Sequence, residues 1–98
     1  MAEIRWTEEA LCWLSKIREY IAEDNQSAAQ KTVQGIYDRT QILSRFIRIG
    51  HRYESIIDRE IRILYYGHYR IAYLIVSEET IDILGIFHGA MNIENYLE

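Results

Sequence analysis

The feature that most constrains this chain is a change in the spacing of its apolar residues near Ser55. Before it they recur every three to four positions; after it they alternate or run continuously. The first pattern is that of helices with one buried stripe, the second that of strands. Glu3 to Trp6 reads as a short strand, and Thr7 as the N-cap of a first helix with Glu8 and Glu9 favourably placed in its first turn. Ala10, Leu14, Ile17 and Ile21 form its stripe, widened by Leu11, Trp13 and Tyr20. The helix is predicted to stop near Asp24-Asn25-Gln26, with Asn25 in the left-handed conformation that closes helices. Ser27 is predicted to cap a second helix whose buried face is Ala29, Val33, Ile36, Thr40 and Leu43, flanked by Tyr37 and ending near Arg45 or Phe46. So short a link makes the two helices an antiparallel hairpin. Gly35, unfavourable inside a helix by about 1 kcal/mol, is expected where the two helices cross closely, or is merely tolerated.

Beyond Gly50 the polar residues mark a loop. Arg59 to Leu64 places Ile61 and Ile63 on one face and Glu60 and Arg62 on the other. Gly67-His68 is a turn, Tyr69 to Val76 a strand, Ser77-Glu78-Glu79 a turn, and Thr80 to Phe87 a last strand. The last two strands are apolar on both faces and belong in the sheet interior. The expectation is α+β: an N-terminal strand, an antiparallel helical hairpin and a mainly antiparallel sheet, in the order βααβββ and forming one domain over 1–98.

Composition supports one dense core. Hydrophobic residues make up 49% of the 98, eight of them tyrosines, and there is no proline. No apolar run approaches the roughly 18 residues of a membrane span, and Met1-Ala2-Glu3-Ile4-Arg5-Trp6 is unlike a signal peptide. The lone Cys12 has no internal disulfide partner. These features predict a cytoplasmic protein that does not engage the membrane. His51, His68 and His88 lack metal-ligand spacing, and no phosphate-binding glycine loop or nucleophile elbow is present. No metal or cofactor is expected.

The net charge of −4 is unevenly distributed. Residues 1–38 carry −3 and residues 71–98 carry −5, while residues 39–70 carry +4, every cation there being arginine. The planar guanidinium suits phosphate or carboxylate partners. The plain alternative is a solvated face neutralised by the protein's own acids.

Five blocks in order carry a resemblance. They are Arg5-Trp6-Thr7 with Tyr20-Ile21-Ala22-Glu23-Asp24-Asn25; Arg48-Ile49-Gly50-His51-Arg52; Arg59-Glu60-Ile61; Tyr69-Arg70-Ile71-Ala72-Tyr73; and Phe87-His88-Gly89-Ala90. Over nearly its whole length the chain resembles the ParE/RelE toxins of type II toxin–antitoxin systems, including plasmid-stabilisation proteins, and is nearest the ParE type. Ile47 stands where the family commonly has Pro, and Met91 where it commonly has Arg. The resemblance implies a cognate antitoxin that wraps the toxin, with operator DNA met only through the antitoxin.

Two targets exist within that family. RelE-type members cut mRNA on the ribosome, whereas ParE-type members inhibit DNA gyrase and are not nucleases. On this sequence the nuclease positions correspond to Arg62, Arg70, His88 and Tyr96, with Arg62 and Arg70 as phosphate clamps and His88 as acid or base. The plainer readings are that Arg70 pairs with Glu60 on the neighbouring strand, that His88 is a hydrogen-bonded structural residue and that Tyr96 packs at the terminus. Glu60 stands where the ribosome-dependent enzymes often carry Lys, and Gly89 near an expected Arg. The long hairpin and a pI near 5.4 also favour the ParE type over a ribosome-directed enzyme. Gyrase inhibition is therefore the expectation, with mRNA cleavage as runner-up and a degenerate toxin that retains only antitoxin binding and operon autoregulation as third. Arg48, Arg52, Arg59, Arg62 and Arg70 are the expected antitoxin or target contacts.

Overall fold

In the computed structural model, which describes residues 1–89 and 91–97, the elements follow the expected order with two small additions. Strand β1 is Glu3–Trp6, helix α1 Glu8–Ala22 and helix α2 Gln26–Gln41, the last continued by a 3-10 turn, Ile42–Ser44. Strands β2 (His51–Arg52), β3 (Ile61–Tyr66), β4 (Tyr69–Ser77) and β5 (Thr80–His88) follow, and helix α3 spans Glu94–Leu97. The sheet order is β1-β5-β4-β3-β2, with β1 parallel to β5 and every other pairing antiparallel. Periodicity did not reveal β2 or α3, since two residues and four residues are too short to display a period.

The caps are local hydrogen bonds. Thr7 Oγ1 accepts from the Ala10 amide at 3.1 Å and donates to the Ile83 carbonyl at 2.8 Å, so one side chain starts α1 and ties it to β5. Between the helices the expectation fails in detail. Asn25 has φ −159°, in the extended region rather than the left-handed one, and its Oδ1 accepts from the Ala28 amide at 3.0 Å. It is therefore the N-cap of α2, in place of Ser27. A side-chain acceptor on one of the orphan amides stabilises a helix start by about 1 kcal/mol.

Both faces of the sheet are covered. On one, Ala10, Ile36 and Leu43 from the helices pack on Leu64, Ile71, Tyr73, Ile81, Ile83 and Ile86. On the other, Ile93 and Leu97 of the C-terminal segment, with Tyr53 and Ile56 of the loop before β3, cover Ile61, Ile63, Ala72 and Phe87. Strict alternation along β5 would not give this distribution. Tyr73 is paired with Ile83 and Ala72 with Gly85, so Leu84 is an extra residue, a β-bulge that resets the parity. Ile81, Ile83 and Ile86 thereby all reach the helical side.

Gly35 does not mark a close crossing of the helices. A Cβ there would lie 1.9 Å from the Tyr66 hydroxyl, so the small residue makes room for a ring from β3. Gly50 is tighter against backbone: a Cβ would stand 2.6 Å from the Ile63 carbonyl oxygen and 2.8 Å from the Tyr73 hydroxyl. Gly50→Ala is expected to lower unfolding free energy by about 1–3 kcal/mol through overpacking, read as a lower urea midpoint with unchanged slope; an unchanged midpoint would mean that the segment yields freely.

Candidate functional site

Tyr73 organises the segment in which the family-like arginines begin. Its ring is fully buried, and its hydroxyl donates to the Ile47 carbonyl at 2.9 Å and accepts from the Gly50 amide at 3.0 Å. Burial pushes the phenol pKa up, so the neutral donor form is retained. Arg62 secures the same segment from β3, donating through Nη1 to the carbonyls of Gly50 at 2.6 Å and Arg48 at 3.2 Å.

Around this loop the expected binding arginines are already engaged. Arg48 forms paired hydrogen bonds with Glu60 at 2.9 and 3.2 Å and with Glu78 at 3.1 and 2.7 Å. Arg62 Nε donates to the same Glu60 at 2.9 Å. Two guanidinium groups and two carboxylates thus join the loop, the entry to β3 and the β4–β5 turn. Hydrogen bonds from Arg48 and Arg62 hold the Glu60 carboxyl below the usual range, and those from Arg48 do the same for Glu78. The same contacts with Glu78 and Glu60 raise the Arg48 pKa further.

Two more arginines hold the C-terminal segment. Arg70 Nη2 donates to the carbonyls of Met91 at 2.5 Å and Gly89 at 3.3 Å, while Arg59 Nη2 donates to that of Leu97 at 2.7 Å. Arg70 therefore does not pair with Glu60. It lies opposite Tyr65, whereas Glu60 precedes the other end of β3, where Ile61 faces Leu74. Arg52 is exposed, with one long bond to the Arg59 carbonyl at 3.4 Å.

The positions aligned with a nuclease site are dispersed. Arg62 shares the helical side of the sheet with its cross-strand partner Tyr73, whereas Arg70 faces the opposite side beside Phe87. His88 returns to the helical side, but Tyr73 pairs with Ile83, five residues before it along β5. At about 3.3 Å per strand residue that separation far exceeds hydrogen-bond reach. Tyr96 stacks on Phe87 with centroids 5.5 Å apart and meets Trp13 edge-on at 5.2 Å. This is the packing reading for Tyr96, and Trp13 as its partner could not have been inferred from spacing. Ala90, in the last family-like block, lies outside the described residues.

A separate feature is a mostly apolar recess of about 350 Å³ between α1 and the end of the β4–β5 pair. Trp13, Ile17, Tyr20, Tyr69, Ile86 and Met91 line it together with Lys16 and His88. The Lys16 ammonium stands 5.3 Å from the centre of a Trp13 ring. Tyr20 is 76% exposed, although helical spacing had placed it beside the stripe. Among the described residues no group of three His, Cys, Asp or Glu is placed to hold a metal, and no helix is long and apolar enough to cross a membrane.

The ion-pair network predicts a pH dependence. The Glu60 carboxyl binds its proton less readily folded than unfolded, so its contribution is complete above the unfolded pKa and disappears as pH falls through the lower folded one. Urea stability should decline from about pH 5 towards pH 3, and Glu60→Gln should flatten that decline while lowering stability at pH 7. A variant with the wild-type profile would show that the network does not contribute.

The comparisons agree with this geometry. The family model for the ParE toxin of type II toxin–antitoxin systems, parDE, matches residues 4–93. No curated protein matches. A solved structure described as the chromosomal ParDE TA system from P. aeruginosa superposes with a TM-score of 0.72 at 21% identity, covering 90% of this chain and 96% of that one, a likeness of fold. With the match extending from β1 to the segment before α3, the chain belongs to the ParE toxin family of type II toxin–antitoxin systems.

Proposed function

We propose that the protein is a toxin that inhibits DNA gyrase by binding, and that a cognate antitoxin neutralises it. Family membership supports the class of protein. The observation that carries the choice of target is the scattering of Arg62, Arg70 and His88 over two faces of the sheet, with the Glu60 carboxylate tied to Arg62. Cleavage through a 2′-hydroxyl needs cations and an acid–base pair converging on one phosphate. Here the cations donate instead to the protein's own carbonyls and carboxylates.

The antitoxin's seat is the recess along α1. An amphipathic segment would set apolar side chains among Trp13, Ile17, Tyr69 and Ile86, with an acidic group facing Lys16. This replaces the arginine band as principal seat, because Arg48 and Arg62 are already paired with Glu60. Of the expected contacts, Arg52 and Arg59 are exposed and without a carboxylate partner among the described residues; Arg59 is engaged by the Leu97 carbonyl, and Arg52 has only its long bond to the Arg59 carbonyl.

Purified gyrase should lose supercoiling activity in the presence of this chain, at concentrations that leave translating ribosomes uncut in toeprints. Undiminished supercoiling at micromolar protein would reject gyrase as the target. Cuts in the ribosomal A site that vanish with Arg70→Ala would install the nuclease reading, and expression harmless to a host lacking the antitoxin would indicate a degenerate toxin.

A further inference from the structure

The turn that follows α2 combines two properties that rarely occur together without a reason: it carries exposed large apolar side chains, and its backbone is held from several sides. Phe46 is 56% exposed and Ile49 47% exposed, and they stand at the two ends of one turn closed by the Ile49 amide on the Phe46 carbonyl at 3.1 Å. The turn's carbonyls and amides are held by the Tyr73 hydroxyl at Ile47 and Gly50, and by Arg62 at Arg48 and Gly50. The Phe46 amide donates to the Ile42 carbonyl at 3.1 Å. Arg48 fastens the turn to β3 and to the β4–β5 corner through Glu60 and Glu78.

Fixing the backbone in this way removes the entropy that a mobile loop would lose on binding. Exposed apolar side chains on such a support are suited to anchoring in a partner's pockets. The surrounding charge indicates the kind of pocket. Arg45 and Arg52 flank the turn, both exposed and neither in an ion pair among the described residues, where the ion pairs use Arg5, Arg48 and Arg62.

We infer that the Arg45–Arg52 turn is the surface that engages the toxin's target, inserting Phe46 and Ile49 into an apolar pocket rimmed by carboxylates on a folded protein. A pair of exposed apolar side chains on a fixed backbone suits a partner that already has a pocket, which a folded target offers and an extended antitoxin segment does not. The antitoxin segment is instead matched by the recess along α1. The inference rests on the reading that the chain acts by binding a protein, and it assigns that action to a surface distinct from the antitoxin's.

The test is gyrase supercoiling and host growth arrest with three variants: Phe46→Ser/Ile49→Ser, Arg45→Glu/Arg52→Glu, and the control Leu11→Ser, an exposed position on the outer side of α1. The altered side chains are exposed, so thermal midpoints should stay near wild type, which establishes folding. The first two variants should each need about tenfold more protein or higher to inhibit, and Leu11→Ser should match wild type. Either turn variant inhibiting like wild type, or Leu11→Ser weakening equally, overturns the inference while leaving gyrase inhibition standing. If the wild-type chain spares gyrase yet arrests growth, the gyrase reading falls. The turn is then upheld by relief of arrest in the first two variants and overturned by its persistence. A wild-type chain that affects neither overturns both.

Discussion

Strands β4 and β5 are apolar on both faces, and the rest of the molecule follows from the need to cover both. The helical hairpin covers one side with a continuous stripe from Ala10 through Ile36 to Leu43. The other side has no comparable element. It is covered by a short C-terminal segment that contributes Ile93 and Leu97, and by the loop carrying Tyr53 and Ile56. Pieces this short have few backbone hydrogen bonds of their own, so side chains from β4 and from the loop before β3 supply them. Arg59 and Arg70 donate to the carbonyls of the segment because those carbonyls would otherwise be left without partners at a partly buried site.

The same need explains the basic band. A run of seven arginines between residues 39 and 70 resembles an electrostatic footprint for phosphate. In the fold most of its charge is directed inward. Arg48 and Arg62 meet Glu60 and Glu78, while Arg59 and Arg70 meet carbonyl dipoles. Planar guanidinium groups serve here as multi-donor braces, a role that lysine's single ammonium would fill poorly. Of the arginines without an ion pair among the described residues, Arg45 and Arg52 lie around one rigid turn, and a binding surface can be built there without disturbing the brace.

The family's fold accommodates different actions, so the location of each charge matters more than the fold itself. In this chain the bulge at Leu84, the strand parity and the C-terminal segment together separate Arg62, Arg70 and His88. A single acidic residue, Glu60, changes the local chemistry further by pairing with Arg62. Trp13, Tyr69 and Ile86, which periodicity marks only as core-facing, line the recess proposed as the antitoxin's seat.

The order and kind of the long elements were legible from the sequence, because a period of 3.6 or 2 needs only the neighbours along the chain to declare itself. The buried faces of α1 and α2 at Ala10, Ala29, Ile36 and Thr40, and the turn at Gly67, all follow from such local spacing. Other features depended on which distant groups meet. Gly35 accommodates Tyr66 rather than α1, and Arg70 holds the carbonyls of Gly89 and Met91 rather than Glu60. A close approach and a charged side chain's partner are each selected by a competition in space among several chemically acceptable groups. Sequence alone could name the competitors, such as Glu60, Glu78 and the C-terminal carbonyls, but only the packed sheet decided which arginine reaches which of them.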